Sequence, residues 1–292
     1  MSRRPPSHSR ALAGGLAAIA ACLATGCEPD DRADATLTDP LLVEAILGAS
    51  PAGDTVYVGL VTPLDADAPP PPPSALAVSV AGPGGIAAEG VPLGDGAYVL
   101  PAGSVPLVPN AALELVIDYA GEAVTSLATV PEPPRGLTLS RDTVRRARIT
   151  SPQQLLAQEP AVAVTASWSG PAGASYVTTL TPLDPQADPV VDVELPGGQQ
   201  GGGGQGAGAL LGGGAQPSAA TVLDVEPQRA LQLFTGYALA VYAVGPEYVA
   251  LYGEASAQGA GTLNEAPDNV EGGYGLFTAV SVARDTIWVV PE

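Results

Sequence analysis

Proline and glycine punctuate this chain so densely that its apolar residues fall into short runs. There are 31 prolines and 36 glycines in 292 residues. Such spacing suits many turns between short strands. From Leu41 onward, runs of about four to eight β-prone residues recur. Leu41–Leu47 and Asp54–Val61 form the first pair, turned by Ser50-Pro51-Ala52-Gly53. Further strands are expected at Ala75–Val80, Ala97–Leu100, Leu113–Tyr119 and Ala123–Val130, closed by Pro131-Glu132-Pro133-Pro134. Short strands at this spacing predict an immunoglobulin-like β-sandwich over residues 40–134. The five-proline run Pro69–Pro73 is stiff and extended and cannot join a central ladder.

Residues 135–292 read as a second β-rich domain with one or two short helices, so the fold class is all-β. Expected strands are Ala161–Trp168, Ser175–Leu180, Val190–Leu195, Ala220–Val225, Leu231–Val244, Gly273–Val280 and Asp285–Val290. Ser151-Pro152-Gln153-Gln154 has the form of a capping box with proline at the first helical position, predicting a short helix over 152–158. Tyr248, Leu251, Tyr252 and Ala255 stand at helical spacing within Pro246–Gln258. Residues 197–214, mostly Gly and Gln, form a flexible insertion. They lack the Gly-Lys-Ser/Thr ending of a phosphate loop.

The N-terminus carries a different signal. Arg3, Arg4 and Arg10 precede an apolar run, Ala11 to Ala24, that ends in Leu23-Ala24-Thr25-Gly26-Cys27. A basic start, a short apolar stretch and small residues before a cut site define a secretory signal over residues 1–26. The apolar run is shorter than the roughly 20 residues a spanning helix needs. Gly26-Cys27 resembles the lipobox of bacterial lipoproteins, with Ala24 where leucine is usual. That resemblance implies lipidation of Cys27, which becomes the new N-terminus. Several acyl chains, at about 0.8 kcal/mol per buried CH₂, anchor stably. Residues 27–39 then form an acidic tether. Glu28-Pro29-Asp30-Asp31 fits a surface-export signal or a plain hydrophilic spacer, so both the periplasmic face and the cell surface stay open.

Processing at Cys27 leaves 8 Arg against 30 acidic residues and no Lys. That balance opposes binding to nucleic-acid phosphates. His8 and Met1 are the only residues of their kinds, and Cys22 lies in the signal. The remainder has no histidine, lysine, methionine or cysteine pair. Serine–histidine triads, Cys–His pairs, Schiff-base lysines and His- or Cys-ligated metals are excluded. Carboxylate-pair catalysis and all-oxygen calcium sites survive, with Glu265, Asp268 and Glu271 as the nearest carboxylate cluster and Asn264, Glu265, Asp268 and Asn269 as candidate calcium oxygens without EF-hand spacing. A solvated loop explains these acids more cheaply. No catalytic, cofactor or metal residue is assigned, and the chain is read as a non-enzyme without a cofactor.

Arg135, Arg141, Arg145, Arg146 and Arg148 place five of the eight mature arginines within 14 positions. This island either pairs with internal carboxylates or takes an anionic ligand. Ten of 13 aromatics lie at or after Trp168. Tyr237, Tyr242, Tyr248, Tyr252 and Tyr274 either pack the core or form a ligand platform.

The order of features resembles a family of bacterial lipoproteins classed as a domain of unknown function (four-two-four-nine). The likeness runs through Cys27, Leu42–Leu47, Thr55–Val61, Gly94-Asp95-Gly96-Ala97-Tyr98 and Thr129-Val130-Pro131. It is strongest in Asn269-Val270-Glu271-Gly272-Gly273-Tyr274-Gly275-Leu276-Phe277-Thr278-Ala279. It implies an outer-membrane, lipid-anchored envelope protein, often encoded near TonB-dependent receptors, with such a receptor or another envelope protein as partner. The expected role is a non-catalytic binding or receptor-accessory scaffold. The alternatives are a structural or adhesive surface module and a carboxylate-dependent glycan hydrolase.

Overall fold

The computed structural model describes residues 40–292 apart from 49, 51, 63–67, 69, 74–75, 159, 194–215 and 254–267. Pro40–Glu292 form one compact unit. The protein is all-β, with three short helices among the described residues.

Among the described residues, sixteen strands form three sheets. β1 (Leu41–Leu47) alternates buried and exposed residues along its whole length. That period of two is the signature of a strand with one face on a core. It pairs antiparallel with β2 (Asp54–Leu60). β6 (Ala97–Leu100) and β5 (Val91–Gly94) extend the same sheet beyond β2. A second sheet has the order β15-β8-β7-β3-β4, from β3 (Ala77–Ala81), β4 (Ala87–Glu89), β7 (Ala112–Tyr119), β8 (Glu122–Thr129) and β15 (Val270–Glu271). β7 and β8 meet through Ala120 and Gly121, both at positive φ (56° and 86°). Two such residues make the tight turn whose twist matches a hairpin.

Valines, leucines and Ile117 from the two sheets interleave into the first core, with Tyr98 among them. Tyr98 also accepts a hydrogen bond from the Leu76 amide (3.1 Å). This is the immunoglobulin-like sandwich, and it takes in Val270, Phe277 and Ala279 from the far end of the chain.

The long strand β16 (Gly273–Pro291) explains that reach. Its 19 residues run through both cores. Gly273–Ala279 pair in parallel with β1. Val280–Trp288 pair antiparallel with β14 (Gly236–Val244), which in turn carries β12 (Ser175–Pro182). Residues 281–284, which the sequence pattern leaves between two separate strands, contain no glycine or proline to stop the ladder.

The second core lies between this half of the large sheet and a three-stranded sheet, β13-β11-β9. The smaller sheet comprises β9 (Arg135–Leu139), β11 (Val164–Ser169) and β13 (Val222–Val225). Trp168 packs edge-on against Tyr176 at 5.7 Å between ring centres. β10 (Thr143–Arg146) joins the large sheet by pairing in parallel with Thr143↔Trp288 through Arg146↔Pro291.

The helices are α1 (Pro152–Leu156), α2 (Pro227–Ala230) and α3 (Pro246–Tyr252). α1 begins as its sequence predicts. The Gln154 amide donates to Ser151 Oγ (3.3 Å), and the Gln154 side chain accepts from the Ser151 amide (3.1 Å). α2 falls in a stretch the sequence pattern leaves between strands; Pro227 supplies its start. Among the described residues no helix is long and apolar enough to cross a membrane.

Candidate functional site

The basic island forms β9, a turn and β10, followed by a segment leading into α1. In β10 the period of two sends Val144 and Arg146 inward and leaves Thr143 and Arg145 exposed. β10, Ile149, Gln154 of α1, Ala157, Gln158 and residues 160–162 line an open cleft of about 1020 Å³. Four arginines line it: Arg141, Arg145, Arg146 and Arg148. Glu292 is the one acidic residue among the described lining positions.

Each arginine is held differently. Arg141 bridges to the other wall, donating to the carbonyls of Val162 and, at 3.1 Å, Ala163. Arg146 is buried and donates to the carbonyls of Pro227 (2.9 Å), the first residue of α2, and Leu231 (2.7 Å), just past its end. Carbonyl dipoles satisfy its hydrogens without cancelling its charge. Burial lowers its pKa from the ordinary arginine value, and the nearby Tyr237 partly offsets this. Arginine stays protonated all the same. Tyr237 is itself buried, its hydroxyl accepting from the Leu233 amide (2.7 Å). Burial raises its pKa, with backbone hydrogen bonds and Arg146 opposing. Arg148 pairs with Asp188 and stacks over Phe234 at 5.6 Å. Arg145 is exposed and has no hydrogen-bonding or ionic partner among the described residues.

Internal pairing with carboxylates accounts for part of the island. Arg135 lies away from the cleft, paired with Glu132 (2.9 Å), and Arg148 is paired with Asp188. Arg141, Arg145 and Arg146 keep charges with no carboxylate partner among the described residues. For the opposite wall, Gln154, Ala157, Gln158 and residues 160–162, the sequence pattern predicts a helix and a strand but no part in a cleft. The capping box marks where α1 starts but not what it faces.

The tyrosines do not assemble a platform. Tyr237 is buried in the second core, while Tyr242 and Tyr248 pack beside Val177, Val244 and Val280. Tyr248 and Tyr252 lie 4.7 Å apart, tilted. Tyr252 and Tyr274 are partly exposed. Among the described residues, no three His, Cys, Asp or Glu come together as a metal-binding group. Asn264 and Glu265 lie outside the described residues, as do Cys27, the tether and the glycine-rich insertion.

The Asn269–Phe277 motif is a structural clamp. Asn269 behaves as an extra peptide unit: its Oδ1 accepts from the Phe277 amide (3.0 Å) and its Nδ2 donates to the Phe277 carbonyl (2.7 Å). The same Nδ2 reaches the Leu127 carbonyl on β8 (3.0 Å), and Ser126 Oγ donates to the Asn269 carbonyl (2.5 Å). The side chain thereby joins the two sheets of the first sandwich. Gly275, at φ 124°, lies so close to β1 that a Cβ would strike the Val43 carbonyl. The spacing of this motif thus serves closure of the sandwich.

No family model matches the chain, and no curated protein matches it. Among solved structures, a "Biofilm associated protein - BSP domain" is similar over 86% of this chain at 11% identity, with a TM-score of 0.20. The chain spans 30% of that structure's length.

Proposed function

We propose that the protein is an exported, lipid-anchored component of the cell envelope whose body is a non-catalytic binding scaffold. One observation carries the binding reading: the exposed, unpartnered Arg145 and the carbonyl-held Arg141 line an open cleft, with the buried charge of Arg146 also in its lining, in a protein that is otherwise strongly acidic. Arg141 and Arg146 are fixed by main-chain carbonyls, so little side-chain entropy remains to be lost on binding. No histidine, cysteine or lysine stands in the cleft to act as nucleophile or base. The export signal and Cys27 support the anchor. The family resemblance supports an envelope partner, such as a TonB-dependent receptor.

Photo-cross-linking in intact envelopes tests the binding reading. A benzophenone side chain at Val162, on the cleft wall, should give a discrete adduct of higher mass. The same group at Leu93, exposed on β5, should not. Absence of an adduct from Val162, or equal adducts from both positions, would refute binding at this cleft.

A further inference from the structure

β10 is an open edge as well as a basic one. The Trp288 amide donates to the Asp142 carbonyl (2.7 Å) and the Glu292 amide to the Arg146 carbonyl (3.1 Å). In a parallel ladder, alternate residues face the partner strand. Asp142, Val144 and Arg146 therefore direct their main-chain groups toward β16. Thr143 and Arg145 direct theirs the other way, and β10 has no second strand neighbour among the described residues. This free edge borders the cleft lined by Arg141 and the exposed Arg145, neither with a carboxylate partner among the described residues.

We propose that the cleft binds an extended acidic polypeptide segment by strand addition to β10. The proposal deepens the scaffold reading by naming the partner's chemistry. The N–H and C=O groups of Thr143 and Arg145 pair with the incoming main chain, and the exposed Arg145 guanidinium, with Arg141 in the cleft lining, donates to its carboxylates. A segment of about four or five residues, at roughly 3.3 Å each, matches the length of β10. The cleft's described lining contains no Phe, Tyr or Trp, so it offers no stacking surface for a sugar or a base. The competing physical account is that Arg145 guards the edge, since proteins place charges on exposed strands to prevent pairing.

The test uses the purified full-length chain and two blocked peptides, acetyl-(Glu-Val)₃-amide and acetyl-(Lys-Val)₃-amide, in calorimetry or fluorescence anisotropy. The acidic peptide should bind and the basic one should not. N-methylation of the acidic peptide's central amides should weaken binding about tenfold or more, because it removes ladder donors and leaves charge intact. Arg145→Glu, a change at an exposed side chain, should weaken it comparably, with circular dichroism reporting the fold. Failure of the acidic peptide to bind overturns the proposal in favour of edge guarding. Binding that ignores N-methylation, or is displaced by equimolar inorganic phosphate, overturns it in favour of a small-anion site. These measurements do not involve the lipid or the cell envelope, so their failure leaves the anchor and the cross-linking result to be judged separately.

Discussion

Replacing Asn269 by alanine should lower the unfolding free energy by about 3 kcal/mol. The side chain makes three hydrogen bonds, two to the Phe277 main chain and one to the Leu127 carbonyl. Each contributes about 1 kcal/mol net. For a body of this size, that loss corresponds to a fall in Tm of roughly 6–12 °C. Asn269→Asp separates hydrogen bonding from shape. A carboxylate can accept from the Phe277 amide but presents negative charge to two carbonyl oxygens. At neutral pH this variant should be at least as unstable as the alanine variant. Its folded-state pKa is raised above the ordinary aspartate value of about 3.9, because the charged form is disfavoured there. The penalty is therefore full above the folded pKa and relieved as pH falls through it, when the protonated acid can donate to one carbonyl. Differential scanning fluorimetry of wild type, Asn269→Ala and Asn269→Asp between about pH 4 and 8 measures this. The gap between the aspartate and alanine variants should shift in favour of aspartate at low pH. An alanine variant as stable as wild type, or an aspartate variant insensitive to pH, would refute the clamp.

Three further substitutions address other parts of the fold. Gly275→Ala drives a Cβ into the Val43 carbonyl at a strained φ, and should cost more than about 3 kcal/mol and abolish soluble folded protein; normal expression and Tm would contradict it. Arg146→Ala removes two charge-assisted bonds worth about 1.5–3 kcal/mol each; urea unfolding should show a loss of about 3–6 kcal/mol. Tyr237→Phe should cost about 1 kcal/mol at pH 7 through the lost Leu233 bond. It should also flatten the alkaline fall in stability. The raised pKa of Tyr237 makes its contribution full below the unfolded value of about 10 and lost as pH rises through the folded one. The other tyrosines with raised pKa, Tyr176, Tyr248 and Tyr252, keep that flattening partial.

Elements stabilised by their own pattern were legible in the sequence. β1, with its strict alternation, and β6 appear with their expected bounds, and α1 begins at its capping box. Elements defined by distant partners were not. β9 and β10 are short, and β10 is half arginine, so charge masks its period of two; Arg146 faces inward because the two ends of α2, about eighty positions away, supply carbonyls. The Asn269 motif was visible as a pattern, but its meaning depends on Leu127 and Val43, which only the closed sandwich brings near. Likewise the arginine island was evident, while its opposite wall required knowing where α1 packs. A strand ending at Val280 has the typical length, and β16 exceeds it because both cores use it.

The anchor is the central claim, and metabolic labelling with an alkyne-bearing palmitate tests it most directly. In a Gram-negative host the wild-type chain should incorporate the label and fractionate with the outer membrane, while Cys27→Ser should take up none and leave the membrane fraction. Label-free wild-type protein, or a Cys27→Ser variant that still carries label, would contradict the account.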